Sequence, residues 1–157
     1  MILDIVDKEL ITSFYYYVPK ILISTFCGII IGAEREFRQK PAGLRTMVLI
    51  CTGCTLLTAL AIQMSGEYHI SDPSRMIGQI ITGIGFLGGG VIMKTDDKII
   101  GVTTASFIWV ISSIGIMIGL GGNLSPILLT IGLLIISLVL EKGESTIKKL
   151  VAKSSKK

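Results

Sequence analysis

The stretch that decides the fold runs from residue 72 to residue 105 and is rich in glycine and apolar side chains. It reads DPSRMIGQIITGIGFLGGGVIMKTDDKIIGVTTA. In a soluble helix each glycine costs about 1 kcal/mol relative to alanine. In a membrane, where lipid is as apolar as leucine, glycines let helix backbones approach closely and so drive packing. The stretch therefore predicts a tightly packed transmembrane helix that carries a few polar groups.

Composition places the whole chain in the membrane class. Of its 157 residues 50% are hydrophobic and 17% are charged, whereas a soluble domain carries about 25% charged residues. A span needs about 20 apolar residues, and five windows qualify: residues 14–33, 44–64, 76–93, 99–120 and 124–140. The predicted fold class is an all-α membrane protein, a close-packed bundle of about five transmembrane helices within residues 1–140. Residues 141–157 form a lysine-rich cytoplasmic tail.

The basic residues predict the orientation of the chain. Twelve of the 15 Lys and Arg residues fall in three segments, 34–45, 94–98 and 142–157, which the five-span arrangement puts on one side. Because cytoplasmic loops carry the excess of basic residues, the N-terminus is expected outside and the C-terminus inside. A lysine cluster directly after a span favours anionic lipid over nucleic acid as its contact. We expect a multi-pass protein of the bacterial inner membrane with no nucleic-acid partner.

Polar residues at the start of the third helix are the first candidates for a functional site. Asp72 is a residue type that favours the N-cap of a helix, and Pro73 is one that favours the first helical position. Asp72 could also contact a cation or pair with Arg75. Arg75, Gln79 and Thr82 follow one face of the helix. Arg75 could extend to the interface. Gln79, one turn deeper, fits either a tie between helices or a pathway residue.

A second set of candidates lies on the predicted cytoplasmic side. Residues 32–36 end the first span and residues 41–46 begin the second. A structural pairing of Glu34 with Arg45, or of Arg35 with Glu36, would explain these charges without a function. The functional alternative adds the hydroxyls near the starts of the second and fourth helices, which gives the candidate set Glu34, Arg35, Arg45, Thr46, Thr103 and Thr104.

Glycines at helical spacing predict the packing surfaces. The third helix carries a face of small residues and is expected to be the most buried helix, with this face against a neighbour. Cys51 and Cys54 have the spacing of a metal or redox pair, but inside a span, with no second pair, they are interpreted as small packing residues. The predicted packing glycines are Gly28, Gly32, Gly78, Gly85, Gly89, Gly115 and Gly119.

Several motifs together resemble the MgtC/SapB family of bacterial membrane proteins. They are GAERE at 32–36, GLRT at 43–46, DPSR at 72–75, GIGFLGGGVI at 83–92 and GVTTA at 101–105, followed by Trp109. The resemblance runs from about Gly28 to Gly121. It implies a five-helix inner-membrane protein linked to growth at low magnesium. It is closest to the short SapB-type form, because larger members add a soluble domain after the fifth helix.

Two functions stay open at this level. The first is a magnesium transporter-like protein in cation homeostasis, with Asp72 at the outer mouth, Gln79 within the bundle and Glu34 at the inner mouth. The second is a non-conducting regulator that binds another membrane protein such as an ATPase. No catalytic constellation is present, so an enzyme is not expected. No resident cofactor is predicted; magnesium would be a substrate or a signal, and its ligands are unknown. The expected partners are the lipid bilayer and either further copies of the chain or another membrane protein.

Overall fold

A computed structural model of the chain describes residues 2–68, 72–96 and 98–154, with the side chains of residues 10–66, 72–96 and 98–148. The helices are α1 (Ile2–Phe37), α2 (Leu44–Tyr68), α3 (Pro73–Gly90), α4 (Val102–Gly119) and α5 (Leu124–Ser154). Between α3 and α4 lies a short antiparallel hairpin of β1 (Met93–Thr95) and β2 (Lys98–Ile100). The predicted all-α class with five helices is confirmed.

Four of the helices are long and apolar enough to cross a membrane. These segments are Leu10–Phe37, Leu44–Gly66, Val102–Gly119 and Leu124–Lys148. The third helix is not among them, although its 18 residues span about 27 Å at 1.5 Å per residue. Because only four residues separate α2 from α3, α3 starts at the end of the bundle where α2 finishes. The chain is a multi-pass membrane protein.

Helices α1, α2 and α4 form the packed centre, and their glycines explain why. An added Cβ at Gly28 would lie 2.6 Å from Val48 Cα, and one at Gly32 would lie 2.7 Å from Leu44 Cα. On the other side of α2, an added Cβ at Gly119 would lie 2.8 Å from the Thr55 carbonyl oxygen. Gly115 meets the carbonyl of Cys51 even more closely. These four glycines lie at the close helix contacts that their spacing predicts.

Helix α3 lies at the edge of this centre, and the prediction that it is the most buried helix is wrong. Its buried residues are Ile80, Ile84 and Gly88. An added Cβ at Gly78, Gly85 or Gly89 would meet no atom within 4 Å. The hydrophobic pattern of α3 points one stripe at α4 and leaves the glycine face open. The expected contact of that face with a neighbouring helix does not occur among the described residues.

Two predicted span boundaries also differ from the structure. The predicted span 76–93 is helical only as far as Gly90, and the predicted span 99–120 becomes helical only at Val102. The residues between the two helices form the hairpin. Its apolar residues Met93 and Ile99 are of the same kind as the apolar residues at the end of a span. Gly101, with φ of 90°, turns the chain from β2 into α4, and its backbone packs against the carbonyl of Val91. A side chain at this position would be both strained and blocked.

Helices α1 and α5 extend beyond their predicted spans. Most of the predicted tail is helical, because α5 continues to Ser154; the tail lysines from residue 149 onward lie outside the described side chains. Helix α5 begins at Leu124, so Pro126 stands within its first turn. Cys27, Cys51 and Cys54 are buried free thiols, consistent with their interpretation as packing residues.

Candidate functional site

The predicted site residues form two groups at opposite ends of the bundle. Asp72, Arg75 and Gln79 lie at the beginning of α3, which we term the Asp72 end. Glu34 and Arg35 lie at the end of α1, where α2 and α4 begin, which we term the Glu34 end. The length of α3 separates the two ends, so the structure does not bring the two groups into one centre.

At the Glu34 end, a network of charged side chains joins α1 to α5. Glu34, with 10% of its side chain exposed, binds Arg35 through Nε and through Nη2 at 2.6 Å. The same carboxylate pairs with Arg38 at 2.5 Å, and Arg38 also contacts Glu141 of α5. The predicted pairing of Glu34 with Arg45 is wrong, because the nearer arginines on α1 itself occupy the carboxylate.

Arg35 is the most buried charged group of this network, with 3% of its side chain exposed. Its guanidinium carbon lies 3.9 Å from the centroid of the Phe107 ring of α4. An arginine over an aromatic face is stabilised by the ring quadrupole, and more so when it is shielded from water. Arg35 therefore links α1 to α4, while Arg38 links α1 to α5.

The turn between α1 and α2 is fixed by a different carboxylate. Glu36 accepts a hydrogen bond from the Leu44 backbone N–H at 3.0 Å, which satisfies one of the free N–H groups at the start of α2. The alternative pairing of Arg35 with Glu36 is therefore also wrong. Gly43 stands where a side chain would collide with the Glu36 carboxylate. Arg45 and Thr46 point outward and are exposed.

The two threonines at the start of α4 have different environments. Thr104 is buried, with 3% exposed, whereas Thr103 is exposed and lines a cleft between α1, α4 and α5. This cleft has a volume of about 380 Å³. Arg35 and Phe107 form part of its wall, and Glu141 lies at its charged mouth. Sequence reasoning missed Arg38, Phe107 and Glu141; the position of Glu141 directly after an apolar run was the only available signal.

At the Asp72 end, the side chain of Asp72 caps α3. Its Oδ1 accepts the Ser74 N–H at 2.9 Å. Hydrogen bonding from Ser74, first from its side chain and then from its backbone N–H, holds the pKa of the Asp72 carboxyl below its usual value, with a smaller contribution from the Arg75 charge. The carboxylate is exposed and forms no ion pair with a described side chain. The capping interpretation accounts for its geometry.

The polar stripe of α3 faces away from the bundle. Arg75, Gln79 and Thr82 are all exposed, and the Thr82 hydroxyl donates to the Gly78 carbonyl of its own helix at 2.9 Å. Phe86 continues the stripe with 84% of its surface exposed. Together with the open glycines Gly78, Gly85 and Gly89, these residues make one continuous surface, which we term the α3 face.

No group of three or more His, Cys, Asp or Glu residues in the described part of the chain is placed to hold a metal ion. The acidic side chains at the Glu34 end are instead held by Arg35, Arg38 or the start of α2. The charged side chains at the Glu34 end therefore serve to link helices to one another.

Comparison with known proteins shows which family the chain is similar to. A model of the MgtC family matches residues 21–146. The MgtC protein of Salmonella typhimurium strain LT2 is 36% identical over 134 residues, which are 85% of this chain and 56% of that protein. The SapB protein of Bacillus subtilis strain 168 is 40% identical over 119 residues, 68% of this chain and 50% of SapB.

A third relative is the YhiD protein of Escherichia coli strain K12, whose name presents it as a candidate magnesium transporter. It is 42% identical over 111 residues, which are 68% of this chain and 51% of YhiD. The chain thus spans about half the length of the curated relatives it matches. No solved structure matches the chain.

Proposed function

Because this chain belongs to the MgtC family of membrane proteins, we propose that it serves magnesium homeostasis in the bacterial inner membrane as a non-conducting regulator that binds another membrane protein through the α3 face. The link to magnesium is supported by the name of the relative YhiD. The choice of a regulator over a transporter is supported by where the polar residues of α3 lie.

The first support is the close packing of the bundle centre. Ile108, Ile111 and Met47 are essentially fully buried there, and the glycine contacts bring α1, α2 and α4 backbones together. The polar groups inside are largely satisfied within the protein: Thr55 donates to the carbonyls of Cys51 and Gly115 at 2.9 Å. Thr58 Oγ1 is the one buried side-chain oxygen or nitrogen without a partner among the described residues. A hydrated cation needs a continuous polar path, and this centre offers packed side chains.

The second support, which carries the proposal, is the outward direction of the α3 face. An amide or charged side chain in hydrocarbon costs about 2–3 kcal/mol unless it finds a partner. Gln79 and Arg75 are exposed at the surface of a membrane protein, and the glycines beside them leave room for a second backbone. Small residues next to hydrogen-bonding groups are the features that associate transmembrane helices.

The experiment places a photo-crosslinking amino acid at Gln79 in native membranes and identifies the adduct by mass spectrometry. We expect one membrane protein to be captured there, and none from the same crosslinker at Leu128, which is 59% exposed on α5. Gly85→Leu should abolish the adduct, because it fills the open space on the α3 face. Gly132→Leu is the matched control, since Gly132 also has no neighbour within 4 Å but lies on α5. Equal capture at both positions would contradict the proposal.

A second candidate function uses the same surface. If the α3 faces of several copies meet around an axis, Gln79 and Thr82 would line a passage between copies, and the chain would conduct only as an oligomer. This version is favoured by the same exposed polar stripe. A crosslinked product between two copies of the chain, joined through Gln79, would support it over the regulator.

A further inference from the structure

The cleft between α1, α4 and α5 has the dimensions of one leaflet of a bilayer. Along α5 it extends from Thr130 to Glu144, which is about 21 Å at 1.5 Å per residue. Half of the hydrocarbon core plus one headgroup region measures about 20–22 Å. The cleft therefore reaches from headgroup depth at the Glu34 end to the middle of the membrane.

The deep part of this cleft is apolar in its chemistry. Its wall is formed by residues such as Val110, Ile114 and Leu133. Two of the four hydroxyls that line the cleft are already used within their own helices: Thr130 donates to the Pro126 carbonyl at 2.7 Å, and Ser106 donates to the Val102 carbonyl at 3.0 Å. Such a wall suits a hydrocarbon chain better than an ion or a polar metabolite.

The mouth of the cleft carries one cation that no carboxylate holds. Glu141 is paired with Arg38 and Glu144 with Lys148, while the buried Arg35 is bound to Glu34. Lys40 also lines the mouth and is exposed. It forms no direct ion pair with a described side chain, although its charge acts on the nearby Glu144 carboxylate, which Lys148 already binds.

The start of α4 adds partial positive charge at the mouth of the cleft. Thr103 lies in its first turn and lines the cleft, and the N-cap Gly101 supplies no side-chain hydrogen bond. The first N–H groups of a helix lack partners within the helix and favour a nearby anion. The mouth thus combines an ammonium group outside any direct ion pair with a helix start that lacks a side-chain cap.

We propose that this cleft binds one anionic phospholipid, with an acyl chain along α4 and α5 between Val110 and Leu133 and the phosphate at Lys40 and the start of α4. The apolar depth, the leaflet-sized length and an ammonium group outside any direct ion pair at the mouth are the three features that such a lipid requires together. Neither the regulatory nor the conducting function is needed for this site.

The test uses the full chain in nanodiscs of equimolar phosphatidylglycerol and phosphatidylcholine, followed by native mass spectrometry of the retained lipid. We expect one phosphatidylglycerol per chain, retained with a roughly fivefold preference, which is the effect expected of one lysine acting on an anionic headgroup. Lys40→Gln should reduce the preference about fivefold, to near equality. Lys94→Gln, which removes a lysine from the hairpin outside the cleft, should leave the preference unchanged.

A second pair of variants tests the acyl-chain part of the site. Ser137→Phe fills the cleft, since Ser137 lines it, and should remove the retained lipid. Val139→Phe is the control at the same depth of α5, because Val139 is 62% exposed and lies outside the cleft. Thermal unfolding of each variant in detergent checks that it is folded.

Four results would overturn the proposal. The first is equal retention of the two lipids by the unmodified chain. The second is retention by Ser137→Phe equal to that by Val139→Phe. The third is displacement of the retained lipid by excess glycerol phosphate, which would mean that the site recognises a free phosphate rather than a lipid. A chain dimer that Ser137→Phe dissociates would assign the cleft to a second copy instead.

Discussion

Arg35 is the one buried charged residue among the described side chains. Its guanidinium is compensated by a single carboxylate and an aromatic ring. The sequence indicated that charges at positions 34–45 would pair, but it could not indicate which pairs form. Adjacent residues of opposite sign offer several pairings of similar distance. The packing of α1 against α4 and α5 decides among them by burying Arg35 and by bringing Glu141 to Arg38.

Removing the Glu34 carboxylate from this network should lower the stability of the folded chain. Glu34→Gln leaves Arg35 buried without its counter-charge, and removal of one partner of a buried ion pair destabilises by about 3–5 kcal/mol. Glu36→Gln is the matched control, since Glu36 is exposed and an amide oxygen can still accept the Leu44 N–H. Thermal unfolding in detergent should show a large loss of stability for the first variant and a small one for the second. Equal losses would contradict this account of Arg35.

The cap at Asp72 should respond to pH in a defined direction. Hydrogen bonding from the side chain and the backbone N–H of Ser74 lowers the pKa of the Asp72 carboxyl in the folded chain. The stability that the charged cap contributes is therefore present above the unfolded pKa of about 3.9 and is lost as pH falls through the folded pKa. Amide hydrogen exchange at Ser74 measures this directly. Protection should decrease on acidification and in Asp72→Ala, and should persist in Asp72→Asn because asparagine also caps helices. Equal exchange in all three proteins would mean that Asp72 does not cap α3.

At the scale of helices and strands, composition and hydropathy located the five helices, but only some of the predicted helix contacts are present. Gly28, Gly32, Gly115 and Gly119 lie at close contacts as expected, whereas the glycines of α3 face outward. A glycine shows that close approach is allowed and does not show which helix approaches. The hairpin was missed for a related reason: two three-residue strands with apolar side chains resemble the ends of spans. Their identity depends on pairing across a turn.

The close contacts make a prediction within the α1–α2 pair. Gly28→Ala places a Cβ 2.6 Å from Val48 Cα, and because the clash is with backbone the helices must separate, at a cost of about 1–3 kcal/mol. Gly53→Ala, in α2 with no neighbour within 4 Å, should be neutral or stabilising by up to about 1 kcal/mol. Chemical or thermal unfolding of the two variants in the same detergent compares them. If Gly28→Ala is as stable as Gly53→Ala, α1 and α2 are not in backbone contact.

At the scale of the whole molecule, the direction of the chain in the membrane stays a prediction from its charges. The segments 34–45 and 94–98 meet at the Glu34 end, because α1 ends there and the hairpin precedes α4. A reporter that is active only in the cytoplasm should therefore work when fused after Lys157. The same reporter inserted at residue 70, between α2 and α3, should be inactive. The reverse pattern would place the Glu34 end outside.

The central claim is that the chain acts through the α3 face as a regulator and does not itself conduct ions. Magnesium flux into liposomes that contain only the purified full-length chain tests it most directly. The packed centre predicts uptake equal to that of protein-free liposomes, at any density of the protein. Saturable uptake that is lost in Gln79→Leu, while the variant stays folded, would contradict the claim and assign conduction to the polar stripe of α3.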